Sequence, residues 1–330
     1  MRFTHITILL AFIFCVSCTR STSHSYRDDE IPTAVVSTIY QLNQTVLDAV
    51  LQRDTELLKS LTLSQIVALP EFEPKMNQTI DIVNSLGDSL FLAPYHDVYT
   101  YSTVEDHVIA SCELNPDTKM FYFSDFDTTF ASFTTIESGN RDILVTLVYV
   151  KESSTWKIMK FELGILRLLD QDAVEWFSYI KDIYKNGYPF PSYLYFNLVN
   201  SCLDPSSILE YNEMAGIQKF QRLLGDRYLS KIIFPSHIPT FNDNYNIYGI
   251  RTTIQDQIYP VILYTTELPI SAVSMLEDEA HQILPGIERK FKGMTKAFEK
   301  VIVIAHREPP VDPSIEYESH RTVVDLKSLE

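Results

Sequence analysis

Hydrophobic residues recur at helical spacing through the first part of the chain. Across residues 32–61 the apolar positions lie three or four residues apart, a pattern that predicts helix. A polar break near Asp54 carries a capping residue followed by an acid, so we expect two helices there. A third helix is predicted over residues 75–86, and Gly87 should end it, because glycine readily adopts the backbone conformation that closes a helix.

The spacing of the apolar residues then changes from that of a helix to that of a strand. Aromatic and β-branched residues separated by polar turns predict strands at residues 97–104, 107–114, 120–126, 130–136, 143–150 and 155–163. The last of these alternates from Trp156 to Ile158 and slips by one position at Met159 and Lys160. The strand before it is aliphatic on both faces, which predicts cover on both sides and a buried Trp156 beside it.

The second half carries a different pattern. Residues 170–207 have apolar stripes on both sides of a turn that contains glycine and proline, as in a helical hairpin. Strands are predicted at residues 228–234, 245–254 and 258–266, and a further strand, VIVIAH, ends at a double proline. Pro260 cannot donate to a ladder, so its strand should be an edge or carry a bulge. Residues 273–301 form the clearest amphipathic helix, with a bend expected at Pro285.

These elements predict an α+β protein with two domains. The first, residues 32–166, combines N-terminal helices with a curved, cone-like antiparallel sheet. The second, residues 167–330, places a helical hairpin and the long amphipathic helix on a small sheet. The chain of 330 residues is long enough for two ordinary domains, and its hydrophobic share of 45% is enough for two cores.

The first residues resemble an export signal. Residues 1–17 form a predicted signal peptide, with one positive charge at Arg2 and an apolar run too short to span a membrane. The string CVSC resembles a bacterial lipobox, which implies lipidation of Cys18, with palmitate, and anchoring to the outer membrane. Cys15 stands where that pattern usually has leucine, so a plain secretory signal and a secreted protein are the alternative. Residues 18–31 are polar and are predicted to be a disordered tether.

The net charge of the chain limits the kinds of partner that it can bind. The formal net charge is −16, and removal of Arg2 with the leader changes it to 26 − 43 = −17. An acidic surface disfavours nucleic acid and anionic lipid headgroups as partners. The expected partners are the membrane, through the N-terminal lipid, and an envelope protein or a small apolar ligand.

Cys112 and Cys202 can form a disulfide in an oxidising compartment or remain two buried free thiols.

Residue spacing excludes several common sites. The nine glycines are never closer than seven positions, whereas dinucleotide fingerprints, nucleophile elbows and phosphate loops need closer glycines. The histidines are scattered, and no helical histidine pair for zinc is present. Glu277 and His281 are four residues apart on the amphipathic helix, where an exposed pair is the favoured interpretation. We therefore expect no cofactor and no metal.

Helices followed by an antiparallel sheet that ends in LVTLVYVKESSTWKIMKFELG resemble the nuclear-transport-factor-two-like superfamily, over residues 32–164. That superfamily includes ketosteroid isomerase and scytalone dehydratase. The resemblance implies a cone-shaped domain with an internal cavity, in which enzymes place an acid or a histidine. Candidate catalytic residues are Asp97, His107, Asp125 and Asp127, with Tyr95, Tyr99 and Tyr101 as donors. The alternative is that these are ordinary sheet and turn residues, because modules of this type need not be enzymes.

Three functional interpretations follow from the sequence. The first is a membrane-anchored binding or interaction module, motivated by the leader and by the lack of catalytic motifs. The second is an exported isomerase- or hydrolase-like enzyme that uses the cavity of the first domain. The third is a structural component of an envelope assembly, which predicts an exposed apolar patch at residues 193–196.

Overall fold

The computed structural model describes residues 23–87, 90–102, 108–228, 234–239, 244–309 and 317–329. These residues form helices and open, mostly antiparallel sheets, which confirms the predicted α+β class. The predicted signal peptide, Cys18 and His107 lie outside the described residues.

The first half begins with a strand and then places helices before most of its strands. Its elements are β1 Ser23–Arg27, α1 Thr33–Leu51, α2 Thr55–Leu61, α3 Ser64–Val67, α4 Phe72–Leu86, β2 Ala93–Ser102, β3 Val108–Asn115, β4 Thr118–Ser124, β5 Thr128–Ser138, β6 Arg141–Glu152 and β7 Thr155–Leu168. The predicted helix break is confirmed, because the carboxylate of Asp54 accepts the Leu57 N–H at 2.9 Å and caps α2. Gly87 follows α4 at a φ of 133°, as predicted for a glycine stop.

Two sheets of the described chain stack in this half. The larger has the order β1-β2-β5-β6-β7 and is antiparallel throughout. Helices α1, α2 and α4 pack on one face, where Phe130, Leu147 and Tyr149 are buried. The small sheet covers the other face, so β6 is buried on both sides, as predicted. The slip in β7 is a bulge, because Tyr149 pairs with Ile158 whereas Val148 pairs with Lys160.

Two expectations for this half are wrong. Residues 23–31 are not disordered, because β1 pairs with β2, Tyr26 stacks on Tyr99 and Ile31 is buried in the core. These pairings supply the stabilisation that the polar sequence lacks on its own. Trp156 is only half-buried, because it lies at the start of β7, which is the edge strand of its sheet. Its ring meets Phe130 edge-on at 6.5 Å.

The second half adds further elements. These are α5 Ala173–Lys185, α6 Pro189–Val199, β8 Leu209–Tyr211, α7 Met214–Tyr228, β9 Ser236–Pro239, β10 Asn244–Ile254, β11 Ile258–Thr265, α8 Val273–Lys290, α9 Met294–Ala297, β12 Lys300–His306 and β13 Ser319–Asp325. The sheet of this half has the order β13-β12-β11-β10-β9 within the described chain. Helices α5, α6 and α8 bury their apolar faces against it in one core. The predicted helical hairpin, α5 and α6, is confirmed.

Several predictions for the second half are corrected. Residue 228 belongs to α7, and residues 229–233 of the strand predicted there lie outside the described residues. Pro260 lies in β11, which has neighbours on both sides and pairs with β12 from Val261 onward. The long helix ends at Lys290, because Phe291 leaves the helical conformation, and Gly293 then takes a left-handed conformation before α9. The patch expected at residues 193–196 is wrong, since Leu194, Tyr195 and Phe196 are buried.

Strand β8 connects the two halves. It pairs with β4 and completes the small sheet β3-β4-β8, although it lies beyond the predicted boundary at residue 166. Just before it, the backbone of Pro205 lies so close to Gly164 on β7 that a Cβ at Gly164 would stand 2.2 Å from the Pro205 carbonyl oxygen. The division into domains at this boundary stays a prediction.

Candidate functional site: a buried carboxyl and an apolar cavity

Of the predicted catalytic residues that the structure describes, Asp97 alone lies in a buried site. It lies in the middle of β2, opposite Ser132 of β5, and its side chain faces the helices. Its backbone N–H donates to the Asp28 carboxylate at 2.9 Å, and His96 faces the second oxygen of the same carboxylate at 3.3 Å. The short turn after β1 therefore closes over this part of the strand.

A chain of hydrogen-bond donors ends at the Asp97 carboxyl. Tyr149 donates to the side-chain oxygen of Asn43 at 2.8 Å, and the Asn43 amide donates to the Ser132 hydroxyl at 2.9 Å. Ser132 in turn hydrogen-bonds to Asp97, which also receives a hydrogen bond from Tyr40 of α1. Each side chain in this series therefore donates a hydrogen bond to the next one, and the last bond ends on the Asp97 carboxyl.

Burial controls the acidity of this carboxyl. Removal from water raises the pKa of Asp97 to about 6, although hydrogen bonds from Ser132 and Tyr40 act in the opposite direction. Burial, together with the nearby Asp97 carboxylate, raises the pKa of Tyr40 to about 12. At neutral pH the pair is therefore a carboxylate and a neutral phenol, which is the chemistry of a base beside a donor.

The other predicted site residues do not join Asp97. Asp125 and Asp127 are exposed in the turn between β4 and β5. Tyr95 packs against the opposite face of the sheet, because a bulge next to it reverses the alternation of β2. Tyr99 and Tyr101 share the face of Asp97, but they stack with Tyr26 at ring distances of 6.4 and 6.0 Å.

Sequence reasoning missed Tyr40, Asn43 and Ser132. A signal for Asn43 was present, because it stands in the apolar stripe of α1 between Ile39 and Val46, and a polar residue in such a stripe needs a buried partner. Ser132 lies in a strand of small and aromatic residues and gives no comparable signal.

An apolar cavity lies elsewhere on the same face, between helices α2 to α4 and strand β7. Its volume is about 330 Å³, within the usual range for small-molecule sites. The apolar part of its lining is Leu58, Ile66, Leu69, Phe72, Met76, Ile158, Met159 and Phe161. The bulge at Met159 puts Ile158 and Phe161 on the helix face of β7, where both line the cavity.

Phe161 separates the cavity from the polar network. It lines the cavity on one side and, on the other, a void of about 10 Å³ that Asn43, Val83 and Leu147 also line. The space between α1 and the sheet is therefore filled, and a ligand in the cavity would not touch Asn43 unless Phe161 moved.

Charged side chains at the cavity rim are paired. Lys160 contacts Glu162 at 3.1 Å, and both hydrogen-bond to the Ser207 hydroxyl, at 2.8 and 2.7 Å. Burial alone would raise the pKa of Glu162, but hydrogen bonds from Ser207 and the charge of Lys160 outweigh it and hold that pKa below its usual value. Glu162 is a weak base, and the charge of Lys160 is balanced by Glu162. This cluster therefore holds the Ser206–Ser207 segment against β7 and does not activate a nucleophile.

Other sequence candidates carry no site. Glu277 and His281 are both exposed on α8, as favoured from the sequence. Cys112 and Cys202 are free thiols, and burial raises the pKa of Cys202 to about 12, which makes it unreactive. Within the described residues, no group of three potential metal ligands comes together. None of the described helices combines the length and apolar character needed to cross a membrane.

Comparison with protein-family models, with curated proteins and with solved structures found no match for this chain. The functional argument therefore depends on the geometry of the cavity and of the polar network.

Proposed function

We propose that this protein is a membrane-anchored binding module that holds a small apolar ligand in the cavity between α2–α4 and β7. The cavity of about 330 Å³ carries the proposal, because it is walled by aliphatic, aromatic and thioether side chains that a folded chain would otherwise bury against each other. In this proposal the helices and the larger sheet form the cone-like domain that the sequence resembles.

The rim charges indicate the character of the ligand. Glu71 and Lys75 are exposed at the opening, and Lys160 and Glu162 neutralise each other. Two acids and two bases leave the rim without net charge, so a neutral apolar molecule fits better than a fatty acid or an apolar cation.

A neutral fluorescent probe tests the cavity. N-phenyl-1-naphthylamine should bind to residues 19–330, produced without the leader, and its emission should rise in the apolar site. Thr79→Phe should fill the cavity and abolish the signal, because Thr79 lines it. Ile82→Phe is the matched control, since Ile82 lies one turn further along α4 and is exposed.

Two outcomes contradict the proposed ligand site. One is a wild-type protein that leaves the probe dark. The other is a Thr79→Phe variant that melts like the control and still binds the probe with unchanged affinity.

The membrane anchor is a separate part of the proposal, and the lipobox-like sequence before Cys18 supports it. In a Gram-negative host, Cys18→Ala should move the protein from the membrane pellet to the soluble fraction. Unchanged fractionation together with an N-terminal peptide of unmodified mass would exclude the lipid.

A second candidate function is an enzyme that uses Asp97 as a general base. It is favoured by one observation, the buried carboxyl beside the Tyr40 phenol. Phe161 would then have to move to admit substrate. A panel of apolar ketones in D₂O, followed by NMR, tests this candidate: proton exchange next to the carbonyl should require Asp97 and vanish in Asp97→Asn. Equal exchange with both proteins would exclude it.

A further inference from the structure

The outer face of the small sheet exposes two neighbouring phenylalanines. Met120 and Tyr122 of β4 point inward and are buried against the larger sheet. Phe121 and Phe123 alternate with them and point outward, with 45% and 64% of their surface exposed. Their rings meet edge to face at 4.8 Å. We call this pair the phenylalanine ridge.

The outer face is polar at one end and apolar at the other. Lys119 of β4 forms an ion pair with Glu210 of β8 at 3.1 Å, two residues before Phe121. Beyond this pair the strand carries only the ridge before it ends at Ser124. A charged end and an aromatic end on one sheet face are typical of a surface that meets water and lipid together.

The ridge lies at the end of the domain where the chain enters. Ser23 at the start of β1 pairs with Ser102 of β2, and the Ser102 N–H donates to the Asp127 carbonyl at 2.7 Å, in the turn that follows β4. The start of β1, Ser23, therefore lies at the same end as Phe123.

We propose that the phenylalanine ridge lies in the surface of the membrane to which the chain is anchored. The inference rests on the lipid at Cys18 in the proposed function. Five residue steps separate Cys18 from Ser23, and fully extended chain spans at most about 3.6 Å per residue, or roughly 18 Å in total. An acyl chain in the bilayer thus holds this end of the sheet, and the ridge with it, against the lipid headgroups.

Charge around the ridge selects the type of lipid. Asp125 and Asp127 are exposed in the turn directly after β4, and the mature chain carries a formal charge of −17. Anionic headgroups would repel this turn, whereas zwitterionic headgroups would not. The partner surface is therefore a zwitterionic one, such as phosphatidylcholine or phosphatidylethanolamine.

The test places a reporter in the ridge of the full-length lipidated protein. Phe123→Trp, reconstituted into phosphatidylcholine vesicles, should emit at shorter wavelength than in detergent-free solution of the Cys18→Ala form. Its added fluorescence should be largely lost when the acyl chains are brominated, because bromine quenches indole on contact. Phe91→Trp is the matched control. Phe91 is 77% exposed just before β2, at the end of the sheet opposite Ser102, about 30 Å away at strand spacing, so its emission should be unchanged.

The outcomes separate this inference from the anchor. Mass spectrometry of the N-terminal peptide reports the lipid independently. If the protein is lipidated and bromine quenches Phe123→Trp and Phe91→Trp equally, the lipid anchor is retained but the membrane contact of the phenylalanine ridge is contradicted. An unmodified Cys18 overturns both. A dimer of the Cys18→Ala form that dissociates in Phe121→Ser/Phe123→Ser would assign the ridge to a second copy and also overturn the inference.

Discussion

Tyr149 on the central strand β6 donates a 2.8 Å hydrogen bond to the side chain of Asn43 on helix α1. Both residues are almost fully buried, so this bond joins the helical layer to the sheet out of contact with bulk solvent. It is also the first step of the donor chain that ends at Asp97.

Tyr149→Phe should lower the free energy of unfolding by about 1–3 kcal/mol, because the Asn43 oxygen would remain buried without a donor. Urea unfolding measures the change as a shift in midpoint at constant slope. Tyr101→Phe is the control, since Tyr101 is only half-buried and its partners can be replaced by water. Equal midpoints for the two variants would show that the Asn43 contact contributes nothing.

Asp97→Asn should change how stability depends on pH. The folded-state pKa of Asp97 is raised from 3.8 to about 6, so the folded state holds this proton more tightly than the unfolded state does. Stability should therefore fall as pH rises from about 4 to about 6, by about 3 kcal/mol for a shift of about two units. The asparagine side chain of the variant does not titrate, so the wild type should lose stability relative to the variant over this window. Parallel pH profiles for the two proteins would contradict the buried carboxyl.

Gly164→Ala should destabilise the contact between the two halves. The new methyl group would stand 2.2 Å from the Pro205 carbonyl, so Pro205 or β7 must move, at a cost of about 1–3 kcal/mol. Gly216→Ala is a matched control, because no atom beyond its chain neighbours and the backbone of its own helix lies within 4 Å of its Cβ position in α7, and alanine favours helix. Thermal melting should give a lower midpoint for the first variant and an equal or higher midpoint for the second.

The predicted domain boundary gives a test on fragments. Residues 23–166 lack β8 and the Pro205 segment, so the fragment exposes the edge of β4 and part of the buried face of Met120 and Leu144. Residues 23–212 retain both. We expect the longer fragment to melt cooperatively and at a higher temperature. A shorter fragment that melts as well as the longer one would place the boundary at residue 166, as the sequence predicts.

Sequence patterns predicted most of the elements that are long and periodic, although helix α7, of 15 residues, was missed. The cap at Asp54, the stop at Gly87 and the slip at Met159 were all visible, because each depends on the local chemistry of one or two residues. Strands β1, β8 and β13 were missed, as was the four-residue strand β9. The first three are short or polar, and their stability comes from pairing with strands distant in sequence, which no local pattern records.

The candidate site was predicted only in part. Asp97 was named from its place on an aromatic strand, but the donors that surround it come from α1 and β5, so they follow from tertiary packing. The cavity has no signature in the sequence, since its walls are ordinary apolar residues of several elements. The cavity exists because the helices α2 to α4 and strand β7 lie some distance apart, which is a property of the assembled fold.

The place of β8 in the small sheet sets an order on folding as the chain is delivered from its N-terminus. Strands β3 and β4 are complete once residue 124 has appeared, but the third strand of their sheet, Leu209–Tyr211, arrives only after β5 to β7, α5 and α6. Until then the edge of β4 that will pair with β8 has no partner strand. A chain that emerges gradually must therefore keep this edge from pairing wrongly while most of its middle third is still being supplied.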